Sequence, residues 1–329
     1  MLNFFRILHF SKMRNHFMQR LPRILGEKNY ILLLSLVVGL IAGLAAVLLR
    51  TIVAELHHIT EQYIPEKLAM WILPALPAAG IFFCILFVKF WIRKPYEKGL
   101  AGVIVATGNG TSDVPAEKTY SHIITSGISV GCGVSAGLEA PIALTGSAIG
   151  SNVAKLFRLG RESRTLLLAC GGAAGVSAVF NSPVAGALFA CEILLPEFSI
   201  PALIPLLMAS ATAAMTSSLL AGEQIFYLQV SGWNMSNLPI YICLGLFAGL
   251  VSAYIIRCSL KIHQKFKKLN NCWIQGLAGS VILYIAFLFL PMLRAEGYDF
   301  VNALFSGQDS QLLVNSPIRF LFENPWVFW

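Results

Sequence analysis

"GLEAPIALTGSAIG", residues 137 to 150, holds Glu139, the one formal charge between Thr119 and Ala154. An acid in an apolar stretch is expensive unless something there holds it or uses it. Pro141 supplies a first clue, because proline is favoured in the opening turn of a helix, where its missing N–H costs nothing. "EAP" therefore reads as the start of a helix. A second start is "FNSPVAGALF", residues 180 to 189, where Asn181 and Ser182, both residue types that cap helix N-termini, precede Pro183. Two helix N-termini inside an apolar region point unpaired N–H groups and the positive end of the helix dipole at the gap, which favours an anion. No lysine or arginine lies between Lys118 and Lys155, so such a site attracts an anion without holding it too tightly to leave.

Working outward, the chain of 329 residues is 57% hydrophobic and only 12% charged. Six long apolar stretches, near 29–56, 68–92, 119–136, 199–221, 238–260 and 273–293, have lengths that suit spanning helices. The fold class is an all-α polytopic membrane protein, and a soluble domain is excluded. Between 137 and 196 the apolar pattern is cut by Gly137, Pro141, Gly146, Gly150, Gly171, Gly172, Gly175, Pro183 and Gly186, which predicts short, broken or tilted helices. Non-helical backbone at membrane depth is tolerated only where it is buried in protein or lines a polar path, so the interruption marks a transport site.

The net charge of +8 sits in clusters between apolar runs: Arg6 to Lys28 before the first, and Arg257, Lys261, Lys265, Lys267 and Lys268 after a later one. Short basic flanks mark the cytoplasmic side. The charge thus speaks of topology and lipid headgroups, with the N-terminus cytoplasmic and the protein multi-pass in the cell membrane; no basic and aromatic interleaving points to nucleic acid. Residues 1–28 mix cations with Phe4, Phe5, Ile7, Leu8, Phe17 and Leu21, which predicts an amphipathic interfacial leader. The seven cysteines are scattered singly without zinc or redox spacing and read as small core residues. No metal site and no cofactor is implied.

An internal repeat supports transport. "GLIAGL" at 39–44 matches "GLFAGL" at 245–250, and at the same offset of 206 residues His57 matches His263. Repeats around a central site, commonly inverted in the membrane, are a transporter plan. On this offset the partner of Glu139 falls near 345, beyond Trp329, so the second repeat is expected to be incomplete. The expected division is a leader at 1–28, a first repeat at 29–221 carrying the gate and anion-site helices, a connecting loop at 222–236, and a partial second repeat at 237–329. Pairs spaced G-x-x-x-G, at Gly39/Gly43, Gly146/Gly150, Gly171/Gly175 and Gly245/Gly249, predict close helix contacts.

"GLEAPIALTGSAIGS" resembles the G-R-E-G-P motif, and the helix after it, of the CLC chloride channels and proton-coupled anion antiporters, with Gly137, Glu139 and Pro141 retained. "LLLACGGAAGVSAVFNSPVAGALFACEILL", residues 166 to 195, is similar to the family's next two helices. The resemblance implies a bundle of tilted and broken helices in inverted repeats, working as a homodimer with an anion path in each subunit. It also implies that Glu139 is the outer gate, competing with chloride or another small anion and, in antiporters, carrying the proton. The anion site would be lined by backbone at Gly137, Leu138, Glu139, Ala140 and Pro141, with Asn181 and Ser182 as helix caps near the pore. By spacing, the counterpart of the family's G-S-G-I-P motif is "EKGLA" at 97–101, which adds Lys98, Gly99 and Leu100. "GNGTSD" at 108–113 is then a turn after a short helix.

This chain departs from the family pattern at several places. Lys98 stands where the family has its anion-coordinating serine, and Ala101 where it has proline; Leu138 and Ala140 replace an arginine and a glycine around the gate. Proton-coupled members have an inner glutamate directly after the acid matching Glu192, and here that place holds Ile193. Without a second acid to hand protons on, the function reads as a glutamate-gated chloride channel, with a proton-coupled chloride or other halide antiporter as the alternative and a truncated, transport-inactive membrane protein as the second. Glu192 itself either caps a buried network or faces the cytoplasm. "GVSAG" at 133–137 has the G-x-S-x-G pattern of serine hydrolases, but no histidine stands in a small-residue-rich span opposite Ser135, so the chain is not read as an enzyme.

Overall fold

The computed structural model describes residues 26–93, 99–197, 199–221, 235–269, 271–290, 293–298 and 301–302. Among them the regular elements are helices: α1 (Glu27–Tyr63), α2 (Glu66–Ile72), α3 (Leu76–Phe87), α4 (Gly99–Gly108), α5 (Ser121–Gly131), α6 (Glu139–Leu156), α7 (Arg161–Phe180), α8 (Pro183–Phe189), α9 (Ile200–Ala221), α10 (Leu238–Lys267) and α11 (Cys272–Phe289). Single π-type turns extend α3 (Val88–Ile92) and α8 (Ala190–Leu194). The leader up to residue 25, most of the expected connecting loop and the chain after residue 302 lie outside the described residues.

Among the described residues, six helical stretches are long and apolar enough to cross a membrane: Glu27–Thr60, Leu73–Ile92, Arg161–Phe180, Ile200–Ala221, Met235–Lys267 and Cys272–Phe289. Five coincide with apolar runs read from sequence. The run at 119–136 does not, because α5 has only 11 residues and gives way to a turn at Gly133 with φ 92°; a span needs about 20. The sixth span is α7, inside the interval expected to be broken. Within that interval the short, broken pattern holds for the seven residues of α8 after Asn181 and Ser182 and is corrected for α6 and α7, which are continuous over 18 and 20 residues. The glycines that looked like breaks are contacts. A Cβ built on Gly146 would overlap the Gly171 carbonyl and one on Gly171 the Gly146 carbonyl, while at Gly150 it would lie 2.7 Å from the carbonyl carbon of Leu167. Glycine costs a helix about 1 kcal/mol against alanine, and in lipid, where apolar burial drives little, backbone-to-backbone packing offsets that cost.

α1 shows the same economy in its side chains. Tyr30, Leu34, Val38, Ala42, Ala46, Leu49 and Val53 recur every three or four residues and are all buried, the spacing of one helix face. Ala42, Ala46, Leu49 and Val53 join Ala209 and Ala213 of α9 and Ala173 and Ala174 of α7 in one core. The opposite face, with Leu33, Leu40, Leu44 and Leu48 exposed, is apolar too, as a lipid-facing surface must be. Gly39 and Gly43 admit α9, with a built Cβ 2.9 Å and 3.0 Å from the Cα atoms of Ala209 and Ala213. Ser177 Oγ of α7 donates to the Ser210 carbonyl of α9 at 2.8 Å, locking the third side of this triangle.

"GNGTSD" does form the expected turn after α4: Gly110 and Ser112 are left-handed, with φ of 67° and 45°. The loop is pinned to the far end of α6. Ser151 Oγ donates to the Ser112 carbonyl at 2.7 Å and accepts from Val114 N at 3.1 Å, Asn152 and Lys155 donate to the Val114 carbonyl, and Lys155 pairs with Asp113. The cysteines are core residues less often than expected. Cys170 is buried, Cys84, Cys132, Cys191 and Cys258 are half-buried, and Cys243 and Cys272 are exposed.

Candidate functional site

The turn Cys132–Leu138 connects α5 to α6, and α6 begins at Glu139 itself, with Leu138 as its N-cap residue. Pro141 therefore stands in the first turn, two residues later than a helix starting on it would place it. The first backbone bond of the helix runs from Ile142 N to the Leu138 carbonyl at 3.0 Å. The N–H groups of Glu139 and Ala140 come before it and have no carbonyl four residues back within the helix. Leu138 is buried and Gly137 and Ala140 are exposed, so the apolar side chain fixes the helix end while its backbone stays open.

Glu139 folds back over this end. A Cβ on Gly137 would overlap Oε2 of Glu139 and sit 2.9 Å from its Cδ, so the carboxyl occupies the space that any other residue at 137 would fill. Gly137 leaves room for the carboxyl in this place, and it has no unusual backbone angle that would require a glycine. The other oxygen, Oε1, accepts a hydrogen bond from the hydroxyl of Tyr298. Sequence reasoning missed this partner. Burial first, and the neighbouring Glu139 second, hold the Tyr298 hydroxyl well above the usual tyrosine range, so it remains a proton donor.

The second predicted N-terminus is built differently. Pro183 is the first residue of α8 as expected, and Ser182 holds the N-cap position with extended backbone, but no side chain caps the helix. Asn181 is left-handed, with φ 50°, and closes α7 as its C-cap, its N–H bonding the Ser177 carbonyl. Asparagine tolerates that conformation better than most residues, which a search for N-caps overlooks. Glu192, in the π-turn after α8, is exposed rather than tied into a buried network, and Ile193 packs against the core.

Lys98 lies outside the described residues. Gly99 and Leu100 open α4, and Gly99 has open space where a Cβ would be. Leu100 packs on the same core as Leu138, Ile142, Ala187 and Leu194, so the starts of α4 and α6 and the body of α8 share one apolar floor. Ser135 is exposed in the turn before α6. His57 is engaged with the Val130 carbonyl at 3.2 Å.

Contacts at the helix ends sort the cations. Tyr30 near the start of α1 meets Phe157 after the end of α6, and Lys89 after α3 lies 5.5 Å over the ring of Trp273 at the start of α11. These ends gather Lys28, Lys89, Arg93, Lys155, Arg158, Arg161, Arg164 and the run Lys261 to Lys268. At the other ends, His57 of α1 meets Val130 of α5, and Ala295 beyond α11 donates to the Gly133 carbonyl at 3.2 Å. Glu139 is on that second side, where Arg294 also lies against Gly133, away from the side that gathers most of the cations.

A family model described as "Voltage gated chloride channel" matches residues 79–323. The chain belongs to this voltage gated chloride channel family. It is 28% identical over 247 residues to the ClcB-like protein of Ralstonia nicotianae, covering 72% of this chain and 57% of that one. It is 24% identical over 297 residues to the H(+)/Cl(-) exchange transporter ClcA of Vibrio cholerae, covering 84% of this chain and 62% of that one. The chain thus spans 57% and 62% of the lengths of these relatives. A solved CLC-type fluoride/proton antiporter superposes with a TM-score of 0.72 at 27% identity, over 84% of this chain and 70% of the other. The architecture is therefore the family's multi-pass helical bundle.

Proposed function

We propose that this chain conducts small anions across a membrane through a path gated by Glu139, with chloride as the expected ion. The observation that carries the proposal is the carboxyl of Glu139 folded over the open backbone at the start of α6. A carboxylate is itself an anion, so it and a permeating ion compete for the same N–H groups and the same dipole end. When the carboxylate is in place the path is closed; when a proton neutralises it or an ion displaces it, the path opens. Sorting of the cations to the side away from Glu139 supports a cytoplasmic N-terminus and an outward-facing gate, since basic flanks mark the cytoplasmic side. The membrane would be the cell membrane and the assembly a homodimer, as the resemblance to the family implies.

A channel is favoured over a proton-coupled exchanger by Ile193, because the acid beside Glu192 that would hand protons onward is absent. The exchanger reading has its own support in similar proteins, one a H(+)/Cl(-) exchange transporter and one a CLC-type fluoride/proton antiporter. Reconstitution into liposomes tests both. Wild-type anion efflux rises as external pH falls, because protons remove the competing charge. Glu139→Gln mimics the protonated acid, so its efflux stays high and becomes independent of external pH. A pH dependence unchanged in that variant overturns the gate, and uphill proton movement driven by an anion gradient would replace the channel by the exchanger.

A further inference from the structure

We infer that Tyr298 is the latch of the carboxyl gate, a positioning residue that holds Glu139 in its folded-back place. The inference rests on the gate reading for its functional meaning and on separate contacts for its geometry. After α11 the chain turns back through Ala295 and Gly297, both left-handed with φ of 58° and 80°. The turn docks on the loop before α6 at two points: Ala295 N–H donates to the Gly133 carbonyl at 3.2 Å, and the Arg294 guanidinium lies against Gly133, where a built Cβ would be 3.2 Å from Nε. Both contacts aim Tyr298 at α6, and its hydroxyl closes the third contact on Oε1 of Glu139. A loop 159 residues away in sequence thus reaches the one charged side chain at the start of α6.

The latch follows from donor and acceptor chemistry. An ionised carboxyl only accepts hydrogen bonds, and a phenol that keeps its proton always has one to offer, so the bond favours the charged, folded-back acid. A protonated acid offers a poorer acceptor and is released more readily. The charged and titratable groups on the docking segment are Arg294, Glu296 and Tyr298. The loop Cys132–Leu138 carries no charge, and the next charge along α6 is Lys155. His57 on α1 is turned to the Val130 carbonyl.

The test uses the purified full chain and two readouts. In infrared spectra the carboxylate stretching bands of Glu139 are those lost in Glu139→Gln. In Tyr298→Phe they move to the position of a carboxylate without a phenol donor. In liposomes the same variant raises anion efflux at neutral pH about tenfold, the factor that one hydrogen bond to a charged group represents, and efflux begins to rise at a higher external pH. Gly137→Ala gives the infrared shift without touching the tyrosine, since its methyl displaces the carboxyl, and it decides the matter if Tyr298→Phe does not fold. Bands unmoved in the folded variants overturn the latch. If the bands move but Glu139→Gln leaves the pH dependence of efflux unchanged, the contact stands and the gate reading fails. If Glu139→Gln flattens the pH profile while Tyr298→Phe matches wild type in both readouts, the gate stands and the latch fails.

Discussion

In α1 a carbon added to Gly39 meets the backbone of Ala209, whereas in α10 Gly245 and Gly249, which occupy the matching places of the repeated "GL-AGL" pattern, have nothing within 4 Å among the described residues. α1 has a buried stripe along its length, and α10 has no buried residue. The same four-residue spacing of glycines is thus a seam in one helix and meets no described neighbour in the other. G-x-x-x-G tells how closely a helix can be approached; what approaches it is written elsewhere in the chain.

The largest effect expected from pressing on this contrast comes where two glycine backbones face each other directly. Gly171→Leu puts a branched side chain into the carbonyl of Gly146, with backbone on both sides and no rotamer to relieve it. It should cost more than about 4 kcal/mol, read as loss of the monodisperse peak in size exclusion. Gly39→Leu strikes the α1–α9 seam against the backbone of Ala209 and should cost about 3 kcal/mol, read as a lowered melting temperature of the purified chain. Gly245→Leu, in the matching motif of α10, should change stability by no more than about 0.5 kcal/mol. A melting loss at 245 as large as that at 39 would break the comparison.

Much of the fold is legible because membrane spans need long apolar runs, and five of the six candidate spans coincide with runs visible by eye. The exceptions have physical causes. Residues 161–180 were read as interrupted because Gly171, Gly172 and Gly175 lower local hydropathy and helix propensity, yet all three are buried against neighbours in a continuous helix. Residues 119–136 are apolar enough to span, but the turn at Gly133 ends the helix early. At the site, "GLEAP" locates the helix start to within two residues, and Gly137 could be foreseen as special. Asn181 was assigned to the wrong helix end, since capping preferences for the two ends overlap in asparagine. Tyr298 was invisible: nothing in "EGY" after an apolar run states which distant loop it will reach, and only the path of α11 back across the bundle brings it there.

The space shared by Gly137 and the Glu139 carboxyl also ties the inheritance of these two positions together. A substitution at 137 moves the carboxyl out of this place on the background of a glutamate at 139 and no longer meets it once that side chain is shortened, so the order of mutations matters. A lineage that gives up the acid first frees the glycine to drift, while one that gives up the glycine first shifts the carboxyl away from the start of α6.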